Sequence, residues 1–178
     1  MRQIDCIHAL HKHTLDAPPV FTKADLAHLL PHTNPRTFDA TLGRLVASEV
    51  LIRAAQGTYV HALTGGARED ILQHVGCALR RGEYSYVSLE TALSRWGVIS
   101  EIPMRLTLMT TGRSQSYETP YGAIEFIHTT RSVISILDGT VRSDEPLRLA
   151  KAMTAYEDLR RVGRNLDLVD LEELRDAA

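Results

Sequence analysis

Asn34 followed by Pro35 is a strong helix start signal. Asparagine satisfies the free amides of a first turn, and proline arrives with its φ already near the helical value. The helix it opens is expected over about Pro35 to Glu49 and places Phe38, Leu42, Leu45 and Val46 on one face. Arg36, Thr37, Ala40, Thr41 and Arg44 fall on the opposite face. That outer face is basic at both ends and otherwise small. A helix entering the DNA major groove needs those properties, because bulky groups would hold its backbone away from base edges. Arginine can bond guanine bidentately, and threonine can meet a phosphate or a thymine methyl.

Two shorter helices are expected before it. Ile4, Ile7, Leu10 and Leu15 give an imperfect helical stripe that ends before Pro18-Pro19, where the double proline forces an extended turn. Thr22 and Asp25 form a cap pair, and Ala24, Leu26, Ala27, Leu29 and Leu30 supply a second helix. After the third helix, Leu51-Ile52-Arg53 and Thr58-Tyr59-Val60 flank a Gly57-containing turn and read as a hairpin. Three helices and a hairpin within residues 1–62 are the order of a winged-helix DNA-binding domain. In that arrangement the candidate contacts are Thr33 and Asn34 at the entry to the third helix and Arg36, Thr37, Thr41 and Arg44 along it. Arg53, Gln56 and Tyr59 would touch the backbone from the wing. Protein-interaction modules share this element order, and an exposed Arg/Thr face is usually just solvated.

Charge narrows the reading. The 178 residues carry a formal net charge of −2, so no broad positive surface is available for nucleic acid. Residues 1–62 hold six Lys/Arg against five Asp/Glu, and Asp39 sits beside the proposed reading face. Modest affinity is expected of one monomer, with specificity from self-association on DNA or from adjacent half-sites. No apolar run approaches the roughly 18–20 residues a bilayer requires, and the start of the chain is too polar for a signal peptide. Cys6 and Cys77 form no CxxC pair. Reduced thiols in a cytoplasm, with no membrane partner, are the expectation. His8, His11, His13, His28, His32 and His61 are numerous but lack the spacing of a metal frame, so neither metal nor cofactor is expected.

Leu63-Thr64-Gly65-Gly66-Ala67 is the best hinge, which makes 67–178 a second domain. A helix is expected over about Arg68 to Arg81, an extended piece at Tyr84 to Val87, and a helix from Ser88 closed by Gly97. Strands follow at Arg105–Thr111, Gln115–Glu118, Ala123–His128 and Ser132–Leu137, then helices at about Pro146–Arg161 and Leu168–Asp176. The fold class is α+β, a winged helix followed by a small antiparallel sheet with C-terminal helices. There is no Walker loop, no G-x-S-x-G and no G-x-G-x-x-G, and no enzymatic activity is expected. Glu118 and Glu125 on neighbouring strands could approach. Arg160, Arg161 and Arg164 form a basic cluster near a helix C-terminus, where the dipole favours cations.

Several segments of the second domain carry a resemblance. Tyr86-Val87-Ser88-Leu89-Glu90-Thr91-Ala92-Leu93, ending in Trp96-Gly97-Val98-Ile99, resembles the motif that opens the antitoxin domain of AbiEi-type proteins. Arg105 to Thr111 and Tyr121-Gly122-Ala123-Ile124-Glu125-Phe126-Ile127-His128 are similar to the stretches that follow it. The wing sequence Leu51-Ile52-Arg53 to Gly57-Thr58-Tyr59-Val60 is also similar to the family's. The resemblance runs from Thr22 to about Ser132. It implies an antitoxin of a bacterial toxin–antitoxin or abortive-infection pair. Such a protein represses its own operon by binding operator DNA and counteracts a nucleotidyltransferase-like toxin. Pro146 to Met153 matches the family's C-terminal helix only loosely, so no toxin-neutralising residue carries over. The alternatives are a transcriptional regulator with a ligand-sensing or dimerisation domain and an adaptor that touches no DNA.

Overall fold

The computed structural model describes residues 3–30, 34–64 and 68–177. They divide into two compact units, Met1–Leu79 and Arg80–Ala178, each mixing helix and sheet. The division follows Leu79 and not the glycine pair expected from sequence. Helix α4 (Arg68–Leu79) packs on β1 and β3 of the first unit's sheet and so belongs with that unit. No helix among the described residues is long and apolar enough to cross a membrane.

The first unit runs α1 (Gln3–Thr14), β1 (Val20–Thr22), α2 (Lys23–Leu29), α3 (Pro35–Ala47), β2 (Leu51–Ala55), β3 (Thr58–His61) and α4. Its sheet is antiparallel in the order β1-β3-β2. Strand β1 was not expected, because three residues show no period. Its partner makes it a strand: Phe21 lies opposite Tyr59, and the His61 amide donates to the Pro19 carbonyl at 2.8 Å. Thr22 then turns the strand into α2 through a complete capping box. Its hydroxyl accepts from the Asp25 amide at 3.2 Å and its own amide donates to Asp25 Oδ2 at 2.8 Å. Phe38, Leu42 and Leu45 of α3 are buried against Cys6, Leu10, Phe21 and Leu26. Each such side chain contributes roughly 1.5–3 kcal/mol of burial. Helix α3 stops two residues earlier than its sequence suggests because Glu49 adopts φ 57°, and the Val50 amide turns back to the Leu45 carbonyl.

The second unit runs β4 (Ser85–Val87), α5 (Leu89–Arg95), β5 (Arg105–Thr110), β6 (Gln115–Thr119), β7 (Gly122–His128), α6 (Val133–Asp138), β8 (Thr140–Val141), β9 (Arg148–Ala150), α7 (Ala152–Val162) and α8 (Leu171–Asp176). The sheet order is β6-β7-β5-β4-β9-β8. It is mixed, not antiparallel as expected, since β5 pairs with β7 and β4 with β9 in parallel. Apolar content explains the order. Ile124 and Phe126 make β7 a strand to be buried, so it lies inside, while polar β6 takes the edge. Ser132–Leu137 is largely helix, not strand. Ser132 caps α6 by accepting from the Ser135 amide, and only Ile136 of that helix is buried. The helix expected from Pro146 starts at Ala152, because Arg148–Ala150 joins the sheet beside β4.

At the centre of this unit lies a carboxylate with no exposed surface. Asp158 of α7 accepts from the Tyr86 hydroxyl at 2.9 Å, the Ser88 hydroxyl at 2.9 Å and Arg131 Nε at 3.0 Å. Burial, followed by the Asp158 charge, pushes the Tyr86 phenol far above its ordinary range. Burial works against the charge on Arg131, but Glu157 and Asp158 outweigh it and hold that guanidinium above its usual value. Ser88 therefore stands at the N-cap of α5 without capping it. Its hydroxyl belongs to Asp158, and the Thr91 amide donates instead to the Thr107 hydroxyl at 3.1 Å.

Asp158→Ala removes one of two carboxylate partners from the part-buried Arg131 and the partner of two buried hydroxyls, and should destabilise the second unit by about 3 kcal/mol in urea denaturation. A loss under about 1 kcal/mol would remove the carboxylate from this central role. In the first unit, His61 is 1 % exposed and its Nε2 has no hydrogen-bond partner among the described residues. Burial, then the neighbouring charge of His11, lowers its pKa, and burial lowers that of His74 in α4. Below the ordinary histidine value of about 6.5 the unfolded chain takes up protons that the folded unit refuses. Stability is therefore complete above that pH and falls as the pH drops through and below it. Thermal melts from pH 7.5 to 5.5 should show this loss, and His61→Gln should flatten part of it. An unchanged slope would show that His61 is not responsible.

Candidate nucleic-acid interface

Helix α3 presents its outer face from a well-fixed start. Asn34 is extended, with φ −160°, and its Oδ1 accepts from the Thr37 amide at 2.9 Å and the Thr37 hydroxyl at 3.0 Å. The cap thus uses the Asn34 carbonyl and the Thr37 hydroxyl proton, leaving the Asn34 amide nitrogen for an outside acceptor. Thr41 donates its hydroxyl proton to the Thr37 carbonyl at 2.9 Å and accepts from Arg44 Nη2 at 3.1 Å. Arg44 therefore lies back along the helix, with further N–H groups to offer a phosphate or base. Arg36 is exposed in the first turn with no hydrogen-bond or ion-pair partner among the described residues. Thr33 lies outside the described residues.

Asp39 is the one carboxylate on α3, and its charge is met within the unit. Lys23, the first residue of α2, reaches Asp39 Oδ1 at 2.6 Å while both side chains remain about half exposed. The bond to Asp39 raises the Lys23 ammonium above its ordinary pKa. Sequence reasoning passed over Lys23, because only the packing of α2 beside α3 brings it to Asp39. The backbone of the same residue serves the hairpin: the Lys23 amide donates to the Gly57 carbonyl at 2.8 Å. Gly57 has φ 72°, the left-handed turn for which glycine is favoured. One residue thus ties the hairpin turn, α2 and the third helix together.

On the hairpin, Arg53 and Gln56 are exposed, and the β2–β3 register shifts between Arg53 and Ala55. Tyr59 does not join them. It is 9 % exposed and packs in the core with Phe21, so it is a core residue and not a backbone contact from the wing. Every residue of β3 is buried, as a central strand between β1 and β2 demands. The sequence signal was the apolar Tyr59-Val60 pair, which is more continuous than an edge strand carries.

The second unit assembles a different constellation. Glu118 and Glu125 are on paired strands but not opposite one another: Glu118 faces Ala123 across the ladder and Glu125 faces Ser116. Glu125 meets Arg164 instead, at 2.9 Å to Nη1 and 2.6 Å to Nη2. Arg164 also holds Glu90 through Nε at 2.7 Å and Nη2 at 3.1 Å. The basic cluster expected from sequence is therefore divided. Arg160 and Arg161 are exposed, and Arg164 is locked between two carboxylates. Burial opposes the charge on Glu90, but the bonds from Arg164, its own backbone and Asn165 prevail and lower its pKa. No group of three or more His, Cys, Asp or Glu side chains among the described residues could hold a metal ion. No protein-family model matches the chain, and no curated protein matches its sequence.

Proposed function

We propose that the first unit is a winged-helix DNA-binding domain. The chain would act as a cytoplasmic autorepressor and antitoxin that binds operator DNA and counteracts a nucleotidyltransferase-like toxin. The observation that carries the DNA half is the face of α3. Arg36 and Arg44 are exposed there, Thr41 lies between them, and Asp39, the carboxylate of α3, is occupied by Lys23. Arg53 and Gln56 are exposed on the hairpin that follows α3, where a wing would meet phosphates. The antitoxin half rests on the resemblance of the second unit's sequence motifs to AbiEi-type proteins. It is tested by expressing the adjacent toxin gene with and without this chain. Equal toxicity in both cases removes it.

Mobility shift on the DNA upstream of the chain's own gene tests the first half. Arg36→Ala and Arg44→Ala should each weaken binding by about 1–3 kcal/mol where a bidentate base contact is lost. Wild-type protein that shifts no DNA at low salt would overturn the reading. The Lys23–Asp39 pair supplies a second measurement on the same assay. Lys23→Ala exposes a carboxylate beside the DNA and should weaken binding several-fold, while Asp39→Asn should tighten it. The double variant should behave like Asp39→Asn alone. Additive effects would show that Lys23 acts as an independent phosphate contact.

A further inference from the structure

The second unit carries a cleft that the proposed DNA reading does not use. It encloses about 350 Å³ and is lined by Glu90, Glu125, Arg105, Arg164, Met104 and Leu168 among others. Its floor is rigid. Arg164 is bonded bidentately to both Glu90 and Glu125, and Asn165 Nδ2 adds a bond to Glu90 at 2.8 Å. Gly163 and Asn165, with φ 75° and 52°, flank Arg164 and fix its place in the chain. One guanidinium thus answers two carboxylates. Arg105, half exposed, approaches Glu125 only to 3.9 Å, so Glu125 keeps accepting capacity toward the cleft.

The lips of the cleft are apolar and wet. Met104 lines the cleft and is 93 % exposed, and Ile102, between the lining residues Glu101 and Pro103, is 87 % exposed. The charge leans acidic: Glu90, Glu101 and Glu125 stand in the lining against Arg105 and Arg164, and the segment that supplies Asn165 and Leu168 is itself acidic. Residues 165–178 hold five acidic side chains and one basic, a net of −4 in a chain whose total is −2, and Glu101 adds to it from the Met104 segment. A small cation would meet only the remaining accepting capacity of Glu125 and leave Ile102 and Met104 in water. An anionic polymer would be repelled. Only an occupant that is cationic at one point and apolar on both sides uses the floor and the lips together.

We propose that this cleft docks a basic, apolar-flanked segment of a second protein. A lysine or arginine side chain enters beside Glu125, and its aliphatic neighbours cover Ile102 and Met104. Methionine suits such a lip because its unbranched chain adapts to the side chain it meets.

The full-length chain, labelled for NMR, tests this with three synthetic peptides of equal length: alternating leucine and arginine, leucine and glutamate, and glycine and arginine. The leucine–arginine peptide should shift the amides of residues 99–105, Glu125 and 164–168, and should bind best. Replacing Ile102 and Met104 together by serine should weaken that peptide at least about tenfold, since two apolar side chains no longer bury surface. Both are exposed, so circular dichroism should be unchanged. Equal binding of the glycine–arginine peptide would reduce the site to diffuse attraction and overturn the proposal. So would equal binding of the leucine–glutamate peptide, shifts confined to other residues, or no binding at millimolar concentration. Self-association of the wild type that is lost in the double variant would assign the surface to a second copy and overturn it as well.

Discussion

The second unit depends on one buried charge. Asp158 has no exposed surface, and its two oxygens take hydrogen bonds from a strand, a helix cap and a loop. Desolvating a carboxylate costs several kcal/mol, so such a group is retained only where its partners are fixed and complete. Here their completeness also determines geometry. Tyr86 sets β4 against α7, Arg131 closes the β7–α6 connection, and Ser88 is drawn inward at the start of α5. The next residue, Leu89, is buried with φ 56°, which costs a non-glycine residue about 1–2 kcal/mol. The chain accepts that strain because the Ser88 corner is held from both sides, by Asp158 through its hydroxyl and by Thr107 through its backbone. Just beyond the corner stands Glu90, which meets Arg164 in the cleft. The polar core and the cleft are therefore consecutive along the chain.

The first unit is organised on a smaller scale. Its short β1 would not persist alone, but it is paired to β3 and passes directly into a capped helix. The start of α2 is thereby fixed relative to the hairpin, and Lys23 extends the connection to α3. Neither bond is strong in water, since an exposed ion pair is worth little by itself. Its effect is to place charge: the carboxylate that would oppose an anionic ligand is occupied by a lysine, while Arg36 stays free of partners among the described residues.

Local chemistry made much of this legible. The Asn34-Pro35 start, the Thr22–Asp25 box and the Phe38–Leu42–Leu45 face are rules of a single turn, and each stands where its residues place it. What failed depended on a distant partner. Val133 to Leu137 has the β-branched composition of a strand, yet a serine cap and one-sided burial make it a helix. Arg148 to Ala150 looked helical and became a strand because β4 offered it a ladder. The parallel pairing of β5 with β7 could not be read from a run of three strands, since it depends on which strand is buried most deeply. At the interface the same division holds. The exposed arginines were visible in the pattern of α3, whereas the role of Lys23 and the burial of Tyr59 required the neighbouring elements to be in place.

The two ends of the six-stranded sheet bear on assembly. At one end, β6 turns Ser116 and Glu118 to solvent, and at the other β8 is two residues long. The Glu118 charge on β6 and the shortness of β8 disfavour another strand at either margin. Continuing this sheet from one copy into another is thereby disfavoured. If they gather on neighbouring DNA sites, the adhesion must come from side chains on helices or loops, which makes it easier to reverse than a shared ladder.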